Sequence, residues 1–248
     1  MTVDILRKPR TAGLARTESA TLAREENARF AALLASLDDA DWSRPTDCPE
    51  WEVREVALHV LGAMEGHVRL WEMGRQIALG VSGSGALADR MSAVQVRERR
   101  HLTETQIVER VAEVGPRAAT ARASRPALMR WTPLPQRVGT STEWWSLGYL
   151  LDVVLTRDVW MHRVDISRAV GRPVELTPEH DGRLVADVVA DWALRHGQPF
   201  GLLLRGPAGG SFSAGHAGEQ LEEDAVEFCR ILSGRAPGEG LLSQPVPF

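Results

Sequence analysis

The chain has 248 residues, 44% of them hydrophobic and 25% charged, and a formal net charge of −4, a balance that buries a core and excludes disordered and fibrous classes. It contains no basic run that would neutralise a phosphate backbone or an anionic bilayer, and no apolar segment near the roughly 20 residues that span a membrane. Neither nucleic acid nor membrane is expected as a partner.

Met1 to Arg16 is a polar arm without the apolar centre of a signal peptide, so a cytoplasmic protein is expected. Thr17 to Leu37 follows with Leu22, Phe30, Leu33, Leu34 and Leu37 at helical spacing, which predicts a first amphipathic helix. The stretch DDADWSRPTDCPEW breaks the pattern and reads as a loop. From Glu52 to Gln76 the residues Val53, Val56, Ala57, Val60, Leu61, Met64 and Trp71 fall on one stripe and predict a second helix. Gly62, Gly66 and Gly74 lower its intrinsic propensity by about 1 kcal/mol each relative to alanine, so packing must offset them or the helix is kinked.

GVSGSGALADR reads as a linker, and Met91 to Glu113 as a third helix ending near Gly115-Pro116. Pro126 to Trp145 looks irregular. Ser146 to Val170 then forms a long fourth helix stopped by Gly171 and Pro173. Beyond it the character changes. Asp181 to Arg195 and Glu222 to Ser233 read as helices, with FGLLLRG and GSFSAG as strands between them. The expectation is therefore a mainly α protein: a four-helix bundle over residues 15–172 and a small α+β domain over 173–248.

The two cysteines, Cys48 and Cys229, form no Cys-x-x-Cys pair, which excludes both a disulfide framework and a thiolate zinc knuckle. The informative polar residues lie elsewhere. On the fourth helix, with a turn of about 100° per residue, His162 lies about 40° from Asp158 and Asp165 about 20° to the other side. Leu147, Leu151, Leu155 and Ala169 share that sector, so three ionisable groups face the core. Burying them unpaired costs several kcal/mol, which calls for partners: one another, or a divalent cation. Asp158 and His162 stand one turn apart, about 6 Å between Cβ atoms, and can hold one ion together, while Asp165 can orient His162 through its other ring nitrogen. A third ligand would come from another helix. His59 and His67 are available on the second, and periodicity favours His67, because His59 lies about 60° beyond the stripe's edge at Val56.

RPTDCPEWEVREVALHV resembles the loop and second helix of the mycothiol-dependent maleylpyruvate isomerase family, whose N-terminal domain is a DinB-like four-helix bundle. WMHRVDISRAVGRPVEL resembles its fourth helix, and EEDAVEFCRILSGR with PVPF its small C-terminal domain. The resemblance implies a divalent metal, usually zinc, held by His59, Asp158 and His162, with Asp165 behind His162. It thus selects His59 over His67. It also implies mycothiol as thiol cosubstrate, an actinobacterial source, and a metal-bound thiolate attacking a small electrophile by isomerisation or S-transfer, in a monomer or homodimer. The chain departs from that pattern in two places: Asp158 stands where the family usually has glutamate, and Glu50-Trp51-Glu52 replaces a frequent Gly-Trp-Thr, losing a capping threonine. The alternatives are a non-catalytic small-molecule-binding protein of the same fold and a metal-dependent hydrolase acting through bound water.

The remaining conspicuous residues have ordinary readings. Trp42, Trp51, Trp71, Trp144 and Trp145 are expected to pack core and junctions, with an aromatic wall for a ligand as the alternative, and Cys48 to be structural. His101, His180, His196 and His216 lack a comparable spacing.

Overall fold

A computed structural model describes residues 9–81 and 86–248. The start of the N-terminal arm and the middle of the glycine–serine linker lie outside them. Two compact units are present: one reaches Leu134 and resumes over Trp145–Val174, and the other comprises Pro135–Trp144 and Glu175–Phe248. Residues 135–144, assigned to the bundle by the sequence reading, thus group with the second unit.

In the first unit α1 (Arg16–Ala35) leads through a loop to α2 (Val53–Val68), α3 (Leu70–Gly80), α4 (Leu87–Arg99), α5 (Glu104–Ala123) and the short α6 (Ala127–Arg130). A hairpin of β1 (Pro133–Val138) and β2 (Ser141–Ser146), most of it grouped with the second unit, follows in the chain where the sequence suggested irregular structure. A helical rod closes the unit: α7 (Leu147–Tyr149), a widened π turn at Leu150–Val154, and α8 (Leu155–Ala169). The bundle core joins Phe30 and Leu34 of α1, Val56, Val60 and Leu61 of α2, Ile107 and Val111 of α5, and Val159 and Ile166 of α8. Each such side chain stabilises the fold by roughly 1.5–3 kcal/mol on burial.

The predicted second helix is two helices, because Arg69 takes an extended backbone (φ −118°, ψ 102°) and α3 restarts beyond it. The restart leaves Trp71, placed on the apolar stripe by periodicity, 66% exposed. The predicted third helix is likewise divided. Thr103 caps α5 reciprocally, its hydroxyl accepting from the Gln106 N–H at 3.3 Å while Gln106 Oε1 accepts from the Thr103 N–H at 3.0 Å. That helix runs on through Pro116 to Ala123. An interior proline costs about 3 kcal/mol, and close packing offsets it: Gly115 admits α1, whose Asn27 amide donates to the Gly115 carbonyl at 2.8 Å. At the start of α2 Glu52 stands in the missing threonine's place and forms a capping box with Glu55, whose carboxylate accepts the Glu52 N–H at 3.2 Å.

Within the rod, the π turn turns the Leu151 carbonyl to the Arg122 guanidinium of α5, 2.8 Å from Nε. Such turns frequently adjoin functional sites. The rod ends as expected, with Gly171 in the left-handed region (φ 68°) and Arg172 N–H donating to the Ser167 carbonyl at 2.9 Å.

The second unit contains α9 (Arg183–His196), β3 (Phe200–Arg205), β4 (Gly210–Ala214), β5 (Glu219–Asp224) and α10 (Ala225–Leu232). The sheet order is β4-β3-β5, antiparallel on one side and parallel on the other. Phe200, Leu202 and Leu204 bury one face of β3, and Trp192 of α9 packs edge-on to Phe200 and Phe228 at 4.9 and 5.4 Å. The sequence reading begins the last helix at Glu222, inside β5. Asp224 decides otherwise: its carboxylate accepts the N–H groups of Val226 and Glu227 at 2.9 and 3.1 Å, so α10 begins only after it. No described helix is long and apolar enough to cross a membrane.

Candidate metal centre

The α8 helix carries Asp158 and His162 one turn apart, and α2 brings His59 against them. One ligand atom from each of the three lies within 4.8 Å of the others. His59 Nε2 is 3.6 Å from Asp158 Oδ2, and His162 Nε2 is 3.5 Å from Asp158 Oδ1. The two imidazole rings meet edge to face with centroids 5.2 Å apart.

Both Nδ1 atoms are already engaged on the far side of each ring. His162 Nδ1 donates to Asp165 Oδ2 at 3.0 Å, and His59 Nδ1 meets Gln95 Oε1 of α4 at 2.8 Å. A neutral imidazole has one donor and one acceptor nitrogen. With Nδ1 as donor in each neutral ring, both Nε2 atoms turn a lone pair towards the carboxylate, a donor set that suits a positive charge, whether a proton or a metal ion. The electrostatics show how strongly the cluster attracts positive charge. Burial pushes the Asp158 carboxyl up and the His162 imidazole down. Their mutual attraction outweighs burial, holding the carboxyl well below its ordinary value and the imidazole well above, with His59 adding to the first and Asp165 and Cys48 to the second.

The site opens to solvent at its carboxylate: Asp158 is 22% exposed, against 10% and 6% for the side chains of His59 and His162. Trp51 flanks both rings, with centroids 5.1 Å from His59 and 6.2 Å from His162. Trp51 thus lies where the aromatic wall that the sequence left open as an alternative to core packing would stand. Cys48, read as structural, lies beside Asp165 with Sγ 3.6 Å from Oδ2, and with His162 and Asp165 it forms a second compact group of potential ligands.

The histidine favoured by periodicity is elsewhere. His67 lies outside these groups of potential ligands, and burial together with the Arg122 and Arg125 guanidiniums lowers its pKa to about 3, against an opposing pull from Asp158. Two neighbouring cations make that ring a poor place for a third. His59 reaches the cluster because α2 is buried on nearly every side: α4 covers the flank that a one-faced stripe assigns to solvent, leaving His59 8% exposed. Gln95 had no signal in its own neighbourhood. The one hint was Gly62, where a Cβ would lie 2.6 Å from that of Gln95.

A helix bundle that gathers a His–Asp–His cluster from two of its rods is the architectural class these observations define. The chain belongs to the mycothiol maleylpyruvate isomerase N-terminal domain family, which it matches over residues 23–167. Among solved structures it is similar to the mycothiol-dependent maleylpyruvate isomerase (16% identity, 90% of each chain, TM-score 0.55). A histidine-to-alanine mutant of that enzyme matches at 14% identity with the same coverage and TM-score. At such identities the likeness is one of fold. No curated protein sequence matches the chain significantly.

Proposed function

We propose that this protein is a metal-dependent, mycothiol-using isomerase or S-transferase acting on a small electrophilic metabolite, with His59, Asp158 and His162 holding a divalent ion. The observation that carries this reading is the convergence of two Nε2 atoms, from different helices, on one carboxylate. Two imidazoles and an aspartate are a donor set suited to zinc, and three protein ligands leave a fourth position for an exogenous group. When bound, the ion supplies the charge that keeps a coordinated thiol deprotonated near neutral pH.

The chain's own residues do the rest. His59 and His162 present their nitrogens, Asp158 offsets the charge on the solvent side, and Asp165 holds the His162 ring in place. Trp51 excludes water from one flank of the rings. Family membership supports mycothiol as the thiol, and with it a cytoplasmic enzyme working on a small molecule, as monomer or homodimer.

The test is elemental analysis of wild type beside His59→Ala and His162→Ala, together with turnover of maleylpyruvate with and without mycothiol. Near-stoichiometric metal in wild type alone, with thiol-dependent turnover, is the expected result. Equal metal in all three proteins would discard the ligand set, and turnover indifferent to thiol would point to a hydrolase using bound water.

A further inference from the structure

Behind His59, away from Asp158, runs a line of buried amides. Gln76 of α3 donates from Nε2 to two acceptors at once, the Gly62 carbonyl at 2.9 Å and Glu72 Oε1 at 3.1 Å. Neither acceptor can donate. One is main chain, and the other is a carboxylate whose pKa is lowered to about 2 by its hydrogen bond from Arg75, with Gln76 and Arg99 adding to it against burial. The Gln76 amide therefore has a single satisfied orientation, with Oε1 turned to Gln95. Gln95 Nε2 donates to that oxygen at 2.9 Å, which leaves Gln95 Oε1 facing His59 Nδ1 at 2.8 Å. An amide oxygen accepts and does not donate, so the proton of a neutral His59 sits on Nδ1 and its lone pair on Nε2.

Glu72, Gln76 and Gln95 are all buried, and solvent does not compete for these bonds. The glycines of α2 make the arrangement possible: a Cβ at Gly62 would lie 2.6 Å from Gln95 Cβ, and one at Gly66 would lie 3.3 Å from Gln76 Oε1.

We propose that Gln76 and Gln95 are positioning residues, a one-way amide relay that starts from Glu72 and the Gly62 carbonyl and holds His59 in its Nδ1–H tautomer. The opposite tautomer would donate Nε2–H to Asp158 and close the cluster with an ordinary hydrogen bond. The relay keeps that nitrogen free to donate an electron pair. The use made of the pair rests on the metal reading above, whereas the tautomer is a property of the chain alone.

Nitrogen-15 spectra of histidine-labelled, metal-free protein at alkaline pH, where imidazoles are neutral, distinguish protonated from bare ring nitrogens, and His59→Gln assigns the signal. Wild type is expected to show His59 protonated on Nδ1. Gln76→Leu frees the Gln95 amide to turn, so His59 shifts toward the Nε2–H form and zinc affinity falls about tenfold or more in a competition titration. Should Gln76→Leu fail to fold, Gln95→Leu loses the Nδ1–H preference and Gln95→Glu, with an accepting oxygen at the same place, restores it. An unchanged tautomer and unchanged zinc affinity in the leucine variants would overturn the relay. A tautomer shift in a protein whose wild type binds no zinc would confirm the relay and remove the metal reading alone.

Discussion

His162 and His59 present the same atom to Asp158 but are supported in opposite ways. His162 is held within its own helix, by an aspartate three residues on, so any chain that forms α8 forms the support with it. His59 is held across 36 residues by Gln95, and through it by Gln76 and Glu72 on another helix. One support is local and follows from helix geometry, and the other exists only after α3 and α4 have folded back on α2. The contrast shows how a symmetrical site can rest on one robust side and one contingent side.

Removing the residue common to both sides has the largest effect. Asp158→Ala leaves two imidazoles with no charge between them, and elemental analysis is expected to find metal at background with thiol-dependent turnover abolished. Gly62→Ala attacks the contingent side only. Its methyl group would meet Gln95, so a destabilisation of about 1–3 kcal/mol is expected in chemical denaturation, with the His162–Asp165 hydrogen bond retained in histidine spectra. Loss of that hydrogen bond as well would show that the two supports are coupled.

On the local side, Asp165→Ala is expected to weaken metal binding by roughly 10–100-fold, and Asp165→Asn by less, since an amide oxygen still accepts from Nδ1. The smallest effect concerns pH. Folding lowers the Glu72 carboxyl from 4.5 to about 2, so its contribution is present above about pH 4.5 and is lost as pH falls through about 2. Wild type should exceed Glu72→Gln by roughly 1–2 kcal/mol at neutral pH, allowing for screening at the part-exposed Arg75. Denaturant melts across that range should show the difference vanish on the acid side. A difference independent of pH would mean that shape rather than charge matters at this position.

Legibility in the sequence followed the same division. Asp158, His162 and Asp165 could be read as one inward-facing group because they occupy two turns of a single helix. His59 could not be reached by periodicity, which points to His67. The wheel assumes one buried face, and α2 packs against α5 and α8 as well as against α3 and α4. The same assumption ran α2 and α3 together and put Trp71 in the core. Family resemblance supplied His59 without a physical reason, and the reason is the cover that α4 provides. The strand β5, with four acids in six residues, reads as helix until Asp224 is seen to cap the element after it.

The sequence by itself determined a helical bundle with a small α+β companion, the family, and the acid–imidazole pair of α8. Spacings of three and four residues have fixed consequences in any α-helix, which rises 1.5 Å per residue and turns about 100°. Only the tertiary structure decided which second-helix histidine joins that pair and where it carries its proton. Those outcomes depend on an extended backbone at Arg69 that turns α3 back, and on glycines that let Gln95 and Gln76 approach. Contacts between helices are set by packing, which no single-helix pattern contains.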